Sequence, residues 1–362
     1  MKRARGVAAR IALIVGGLLI VLGALELALR AWPTMLGPAF ANGARSKYTS
    51  RPGGIYYHDP RLNIHFMIPN HRTTMYYNGY VWHHETDAFG FRNRELHVPA
   101  DVMLVGDSVV YGHGVEFEDT VGHNVEERSG LRVVNLGRQG DCAFQEAYLV
   151  GAYVPVFTPR HVVHVFAPND IEDVYLWLSD AAMRAFISEP VDRIAYPPRT
   201  DPATLMAARE RKIRERSLGR WVEQELYLAK MLRWLRSRFE GARLASVVAP
   251  AEAAPARERR LDDGRAALTD AASLGWRYTE HALEYMQYAA AKVGGRLLMA
   301  PLVQGEQMDI LRRIAARHGI DLVDTAPLFE ARSFLPNDGH LSPEGSRLMA
   351  ELIVARLRQG RQ

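Results

Sequence analysis

Five short aliphatic runs, at 102–105 (VMLV), 133–136 (VVNL), 161–166 (HVVHVF), 296–300 (RLLMA) and 320–323 (IDLV), constrain the fold most. Each is too short for a helix that buries a face, and each is bounded by Gly, Ser, Pro or Asn. Mostly apolar strands of this kind, separated by helix-patterned segments, belong to a parallel sheet covered on both faces. The expectation is an α/β chain. At 362 residues it is long enough to bury a substantial core.

The N-terminus carries a different signal. Lys2, Arg3, Arg5 and Arg10 precede an unbroken apolar run at 11–25, followed by Glu26, Leu27, Ala28, Leu29 and Arg30. A membrane-crossing helix needs roughly 17–25 residues. The stretch 7–29 reaches that length if Arg10 and Glu26 snorkel at opposite interfaces. A cleaved signal peptide has the same charge order, but the small-residue site Ala39-Phe40-Ala41 lies far beyond the apolar run. The reading is therefore an uncleaved signal anchor over 1–30 in the cytoplasmic membrane, with the rest of the chain on its outer side.

Beyond the anchor, 31–95 reads as a tether, over about 31–50, followed by an aromatic-rich segment. Within it, Tyr76-Tyr77-Asn78-Gly79-Tyr80 has the Asn-Gly pair of a tight β-hairpin. Residues 96–362 then form the α/β part, interrupted at about 175–285 by a helical insertion able to cap a site. In it Leu228, Met231, Leu232, Leu235 and Phe239 recur at helical spacing among many arginines, and 250–257 (PAEAAPAR) reads as a linker. The arginine-rich stretch 209–238 reads as a solvated helix face, with anionic headgroups or an acidic polymer as the other reading. Ser342 as N-cap with Pro343 and Glu344 behind it starts the last helix.

Several classes are disfavoured. A net charge of +4 is too small a footprint for nucleic acid. One cysteine, Cys142, forbids an intrachain disulfide or a cysteine-rich zinc site and reads as a small buried side chain. No P-loop, HExxH or GxGxxG motif appears, and no metal or cofactor is called for. His83-His84 are neighbours in a strand and so point to opposite faces, which suits a solvated hairpin end better than a metal site.

Four loops at the carboxyl ends of these elements carry the chemistry. Ser108 follows the first run in Gly106-Asp107-Ser108, although Val110 stands where a nucleophile elbow needs glycine. The second loop is Asn135-Leu136-Gly137-Arg138-Gln139-Gly140-Asp141, the third Ala167-Pro168-Asn169-Asp170, and the fourth Asp338-Gly339-His340. A hydroxyl, an imidazole near a carboxylate, and amide donors are what acyl transfer requires. His113 lies close enough in sequence to Ser108 to line the same pocket.

These blocks, in this order, resemble those of the SGNH (GDSL) hydrolase superfamily over roughly 102–172 and 320–357. The resemblance implies a flavodoxin-like three-layer α/β/α fold around a parallel sheet. It also implies Ser108 as nucleophile, His340 as base and Asp338 as the acid that orients it. Ser108 and Gly140 would supply oxyanion-hole amides and Asn169 a side-chain N–H, with Asp107 and Asp170 in support. Two positions depart from the pattern. Ala167-Pro168 stand before Asn169 where a Gly-x pair is usual, and the residue three before His340 is Asn337, where many members place the acid. Asp338 or Asn337 therefore faces the imidazole.

The function implied is a serine esterase acting on an acyl, for example O-acetyl, ester of an envelope glycan or lipid. An O-acyltransferase would use the same residues and would need a partner protein as acyl donor. A non-catalytic glycan- or partner-binding module with the same fold is the third reading.

Overall fold

The computed structural model describes residues 2–239 and 254–359. The apolar N-terminus is one helix, α1 (Lys2–Ala31), whose stretch Arg10–Ala31 is 22 residues long and has the length and composition to cross a bilayer. The next residues do not form the tether expected from sequence. A 3-10 turn, Pro33–Leu36, leads into α2 (Pro38–Arg45), which buries Phe40, Ala41 and Ala44. The reason lies in the apolar spacing of that short helix: Phe40 and Ala44 share a face and pack with Leu29 of α1.

Two antiparallel pairs follow, β1 (Tyr56–Asp59) with β2 (Ile64–Met67), and β3 (Arg72–Tyr77) with β4 (Tyr80–Glu85). The second pair closes on the expected Asn-Gly turn, with Asn78 at φ 48° and Gly79 at φ 90°. Met75 and Trp82 point from this hairpin into the core. His83 and His84 do point to opposite faces, but only His83 is solvated. His84 is fully buried against Tyr111, because the hairpin lies on the α/β body with that face down.

The α/β body is a five-stranded parallel sheet of β5 (Val102–Gly106), β6 (Val133–Asn135), β7 (His161–Phe166), β8 (Arg296–Pro301) and β9 (Asp321–Leu322). Its order is β6-β5-β7-β8-β9, with Val102 in register with Val133 on one side and His161 on the other. Alternate strand residues serve different cores. Val102 and Leu104 pack under α4 (Val121–Ser129) and α14 (Pro343–Gln359). Met103 and Val105 face α5 (Ala143–Phe157), α12 (Leu274–Ala291) and α13 (Gly305–His318). The result is the three-layer α/β/α arrangement, with β5 at the point where the strand order reverses.

α3 (Ser108–Tyr111) is a single turn after β5, and α6 (Asn169–Trp177) follows β7. Between α6 and α12 lie α7 (Asp180–Ser188), α8 (Pro202–Arg214), α9 (Leu218–Glu225), α10 (Tyr227–Phe239) and α11 (Ala254–Ala267). The linker expected at 250–257 lies largely outside the described residues; its last four positions begin α11. α12 belongs to the sheet's own helical layer, so the additional helices are α7–α11. The contacts of α8–α10 run to the N-terminal segment. Arg209 donates to the carbonyls of Ser50, Arg51 and Gly54 at 3.0, 2.8 and 3.1 Å. These helices thus brace the N-terminal segment, where the sequence suggested a cap.

Candidate active site

Asp107 prepares the position of Ser108. As N-cap of α3 its carboxylate accepts the Val109 amide at 2.9 Å, which turns the chain sharply out of β5. Gly106 at φ 159° and Gly137 permit the close approach of neighbouring backbone. A Cβ on Gly137 would stand 2.3 Å from the Tyr111 nitrogen. Asn135 links the two loops, its side chain donating to Val110 O at 2.8 Å and accepting from Gly137 N at 2.8 Å. Ser108 is 7% exposed, at the floor of the rim.

The fourth loop brings the base from the other end of the chain. A turn from Leu335 to His340, closed by Leu335 N→His340 O at 2.8 Å, places Asn337 at φ 59° on the outside and Asp338 on the inside. Asp338, rather than Asn337, takes the imidazole: its Oδ1 pairs with His340 Nδ1 in a short contact. The ring's other nitrogen, Nε2, is 2.8 Å from Ser108 Oγ. With the Nδ1 proton directed at Asp338, Nε2 is left to accept the serine hydroxyl. Serine, imidazole and carboxylate therefore form one continuous chain.

The electrostatics suit that order. Burial alone would raise the Asp338 carboxyl, but its hydrogen bonds to His340 and the charge of that ring outweigh burial and hold it below the ordinary carboxylate range. Asp107 also approaches Ser108, its Oδ2 accepting from Oγ at 3.2 Å. Burial raises this carboxyl, against the lowering effect of the Val109 amide.

The expected oxyanion donors stand where the fold places their loops. Gly140 sits in the β6–α5 loop at φ 73°, exposed, with open space where a side chain would be. That loop is clamped from below by the buried pair Arg138–Asp141, 2.8 Å from Nε, and by Arg138 Nη1→His65 O at 2.7 Å. Asn169 is half-buried at the start of α6 and donates one amide hydrogen to Asp173 Oδ2 at 2.9 Å, which fixes its amide plane and leaves a second N–H. Asp170 points inward, accepting Ala167 N at 2.9 Å, and its carboxyl is raised well above the usual range by burial and by the nearby Glu146 and Asp107. Its place is structural support behind the third loop.

Of the surrounding shell, the sequence pointed to His113 but not to Tyr48, Arg92 or Gln139. His113 stacks on His340 with ring centroids 3.9 Å apart, and burial together with the His340 charge lowers it to about 3. Its Nδ1 meets Tyr48 Oη at 3.1 Å and the Gln139 side-chain amide in a short contact. An amide N–H can only donate, so Nδ1 accepts and His113 is the neutral Nε2–H tautomer. Arg92, buried, donates to the carbonyls of His83, Gly112 and Val115 at 2.9, 2.7 and 2.8 Å and so ties the hairpin to the α3 loop. Only the Asn-Gly turn itself announced that this hairpin existed; nothing in the sequence linked it to Asp338.

Among the described residues two groups bring potential metal donors within 4.8 Å of one another: His113, Asp338 and His340, and Glu146, His164 and Asp170. In the first, the His340 and Asp338 donors are committed to each other and to Ser108. In the second, His164 Nε2 and Glu146 Oε2 are already paired at 2.8 Å in a fully buried position.

No family model and no curated protein matches the sequence. Solved structures do match it. One is a G-D-S-L family protein from Desulfitobacterium hafniense DCB-2, 13% identical, covering 70% of this chain and 98% of its own, with a TM-score of 0.35. Another is a lipase/acylhydrolase from Enterococcus faecalis, 14% identical, covering 72% and 95%, with a TM-score of 0.36. A third is TesA, at 12% identity, 71% and 98% coverage and a TM-score of 0.37. The fold is the three-layer α/β/α one around a parallel sheet, read from this chain's own strand order, with the loops of Ser108 and His340 meeting in direct contact.

Proposed function

We propose that this chain is a serine esterase that cleaves an acyl ester, such as an O-acetyl group, on a glycan or lipid of the cell envelope. The observation that carries the reading is the unbroken contact series Ser108 Oγ, His340 Nε2 and Nδ1, Asp338 Oδ1. His340 takes the serine proton as Oγ attacks the ester carbonyl, and Asp338 stabilises the imidazolium that results. The tetrahedral oxyanion is met by the amides of Ser108 and Gly140 and by the Asn169 side chain. His340 then returns its proton to the leaving alcohol, and water resolves the acyl-enzyme by the same path in reverse. In this reading α1 is the anchor in the cytoplasmic membrane and the body lies on its outer side, where envelope esters are found.

A fluorophosphonate probe tests the proposal on the full-length, detergent-solubilised protein. Covalent labelling of wild type that is lost in both Ser108→Ala and His340→Ala is expected, with each variant keeping its thermal transition. Folded wild type that does not label would remove the activated serine and leave a binding module. A labelled enzyme that turns over acetyl esters only when a sugar alcohol is added would be a transferase.

A further inference from the structure

We propose that α9, α10 and the turn at Trp32–Met35 lie in the outer interface of a phospholipid bilayer, so that the protein rests on the membrane surface. The inference rests on α1 as a span and is independent of the esterase reading.

The argument begins with a length. At 1.5 Å per residue, the apolar stretch from Ile11 to Arg30 spans about 30 Å, the thickness of a bilayer's hydrocarbon core. Its side chains face outward as far as Leu25, and none of the most apolar window of Arg10–Ala31 is buried in the protein. If Arg10 marks one boundary, Arg30 marks the other.

At that level the body is already attached. Glu26, one turn before Arg30, does not snorkel as a free carboxylate. It accepts the backbone amides of Tyr227 and Leu228 at 3.0 and 2.9 Å, and it pairs with Arg30 Nε at 2.7 Å. It is thus the cap of α10, supplied by another helix. Arg30 adds a bond to Glu225 O at 3.1 Å, between α9 and α10. Leu29 and Phe40 pack with Leu228, Met231 and Trp234, which fixes the joint on its other side. α10 therefore starts at the height of the outer hydrocarbon boundary.

Three large apolar side chains on α9 and α10 are exposed among charged ones, chiefly arginines. Leu218 is 77% exposed and Leu232 63%, with Trp221 also exposed. Leu218 and Trp221 are three apart and share a helix face. Just beyond the span, Trp32 is 67% exposed and Met35 is exposed beside it. Arg220, Arg233 and Arg238 stand among these residues. Tryptophan, leucine and arginine at the end of a span are the residue types that partition to the boundary of acyl chains and headgroups. In water the same side chains would be an uncovered apolar surface.

The test uses the full chain reconstituted into vesicles of phosphatidylethanolamine and phosphatidylglycerol. Leu218→Cys, Leu232→Cys and, as a water-facing control on α13, Glu306→Cys are each labelled with an environment-sensitive fluorophore. The native Cys142 is buried and gives little background. The expected result is blue-shifted emission at 218 and 232 that loses most of its intensity to lipids carrying a nitroxide high on the acyl chain. The probe at 306 should stay water-like and unquenched. Water-like emission at 218 and 232 in vesicle-bound protein would overturn the proposal. Blue-shifted emission without lipid quenching would overturn it in favour of a second copy covering this face. Protein that does not float with vesicles would remove the span and the proposal with it.

Discussion

Asn78, in the hairpin turn, donates its side-chain amide to Asp338 Oδ2 at 3.2 Å. The two residues are 260 positions apart, and the second carboxylate oxygen, Oδ1, is the one that holds His340. Asn78 is itself held by Asn42 of α2, which accepts its backbone N–H at 2.8 Å and donates to its Oδ1 at 2.6 Å. Those two bonds orient the Asn78 amide so that its nitrogen faces Asp338. Asp338 is thus oriented from the segment next to α1, outside the sheet that carries Ser108.

Replacing Asn78 by glycine keeps a residue suited to the turn and removes the donor. A hydrogen bond to a charged group is worth about 1.5–3 kcal/mol. If most of that is lost in the transition state, fluorophosphonate labelling should slow by about 10- to 100-fold. The labelling rate checks this, with thermal unfolding as control. An unchanged rate in folded protein would make the contact incidental.

Gly137→Ala should damage the site through packing. Its Cβ would stand 2.3 Å from Tyr111 N and 2.5 Å from Val110 C, backbone atoms with no room to yield. Overpacking of this sort costs about 1–3 kcal/mol. A lower urea midpoint and weaker labelling are expected together, because the displaced backbone belongs to the helix that carries Ser108.

The buried histidines should make the fold lose stability as pH falls below about 6.5, against the opposite contribution of Asp107, Asp141 and Asp170, whose carboxyls burial raises. Burial is the main cause that lowers His65 to about 4 and His84 and His113 to about 3. Unfolded histidine protonates near about 6.5. Below that pH the unfolded chain binds more protons, so this contribution is intact above about 6.5 and falls as pH drops toward 4 and 3. Each such group adds up to about 1.4 kcal/mol per pH unit. The histidine share is read from the change in urea midpoint between neutral pH and about pH 5, which for wild type includes the loss that His84 contributes. That loss should be missing from His84→Gln, which does not titrate.

Glu26→Ala should loosen α10 without unfolding the sheet. Loss of a cap costs about 1 kcal/mol. Faster amide hydrogen exchange at Tyr227 and Leu228, with core strands unchanged, is the expected signature; unchanged exchange there would deny Glu26 its capping role.

The periodic parts of this architecture were legible in the sequence. Short aliphatic runs gave the strands, Asn-Gly the hairpin turn, and Ser342-Pro343 the start of α14, where Ser342 Oγ accepts Gly345 N at 3.0 Å. The four loops were legible because parallel strands put their carboxyl ends on one rim. What escaped was cross-chain and polar. Nothing in the spacing of Asn42 and Asn78 told of a contact with Asp338, and Glu26 looked like a snorkelling end of a span. The stretch at 31–50 lacked a long apolar period, so its short packed helix α2 passed for a tether. Burial created by distant parts of the chain decided each of these.

The joint at Glu26 and Leu29 leaves the body without a leash. A domain on a flexible linker sweeps a volume and can search many altitudes above its anchor. Here α1, α2 and α10 are locked together, and α2 in turn grips the hairpin that orients Asp338. Ser108 is therefore carried at one fixed stand-off from the end of α1, like a stylus on a rigid arm. In the proposed esterase, substrate must arrive at that height, and a few residues inserted between α1 and α2 would change what the site can touch.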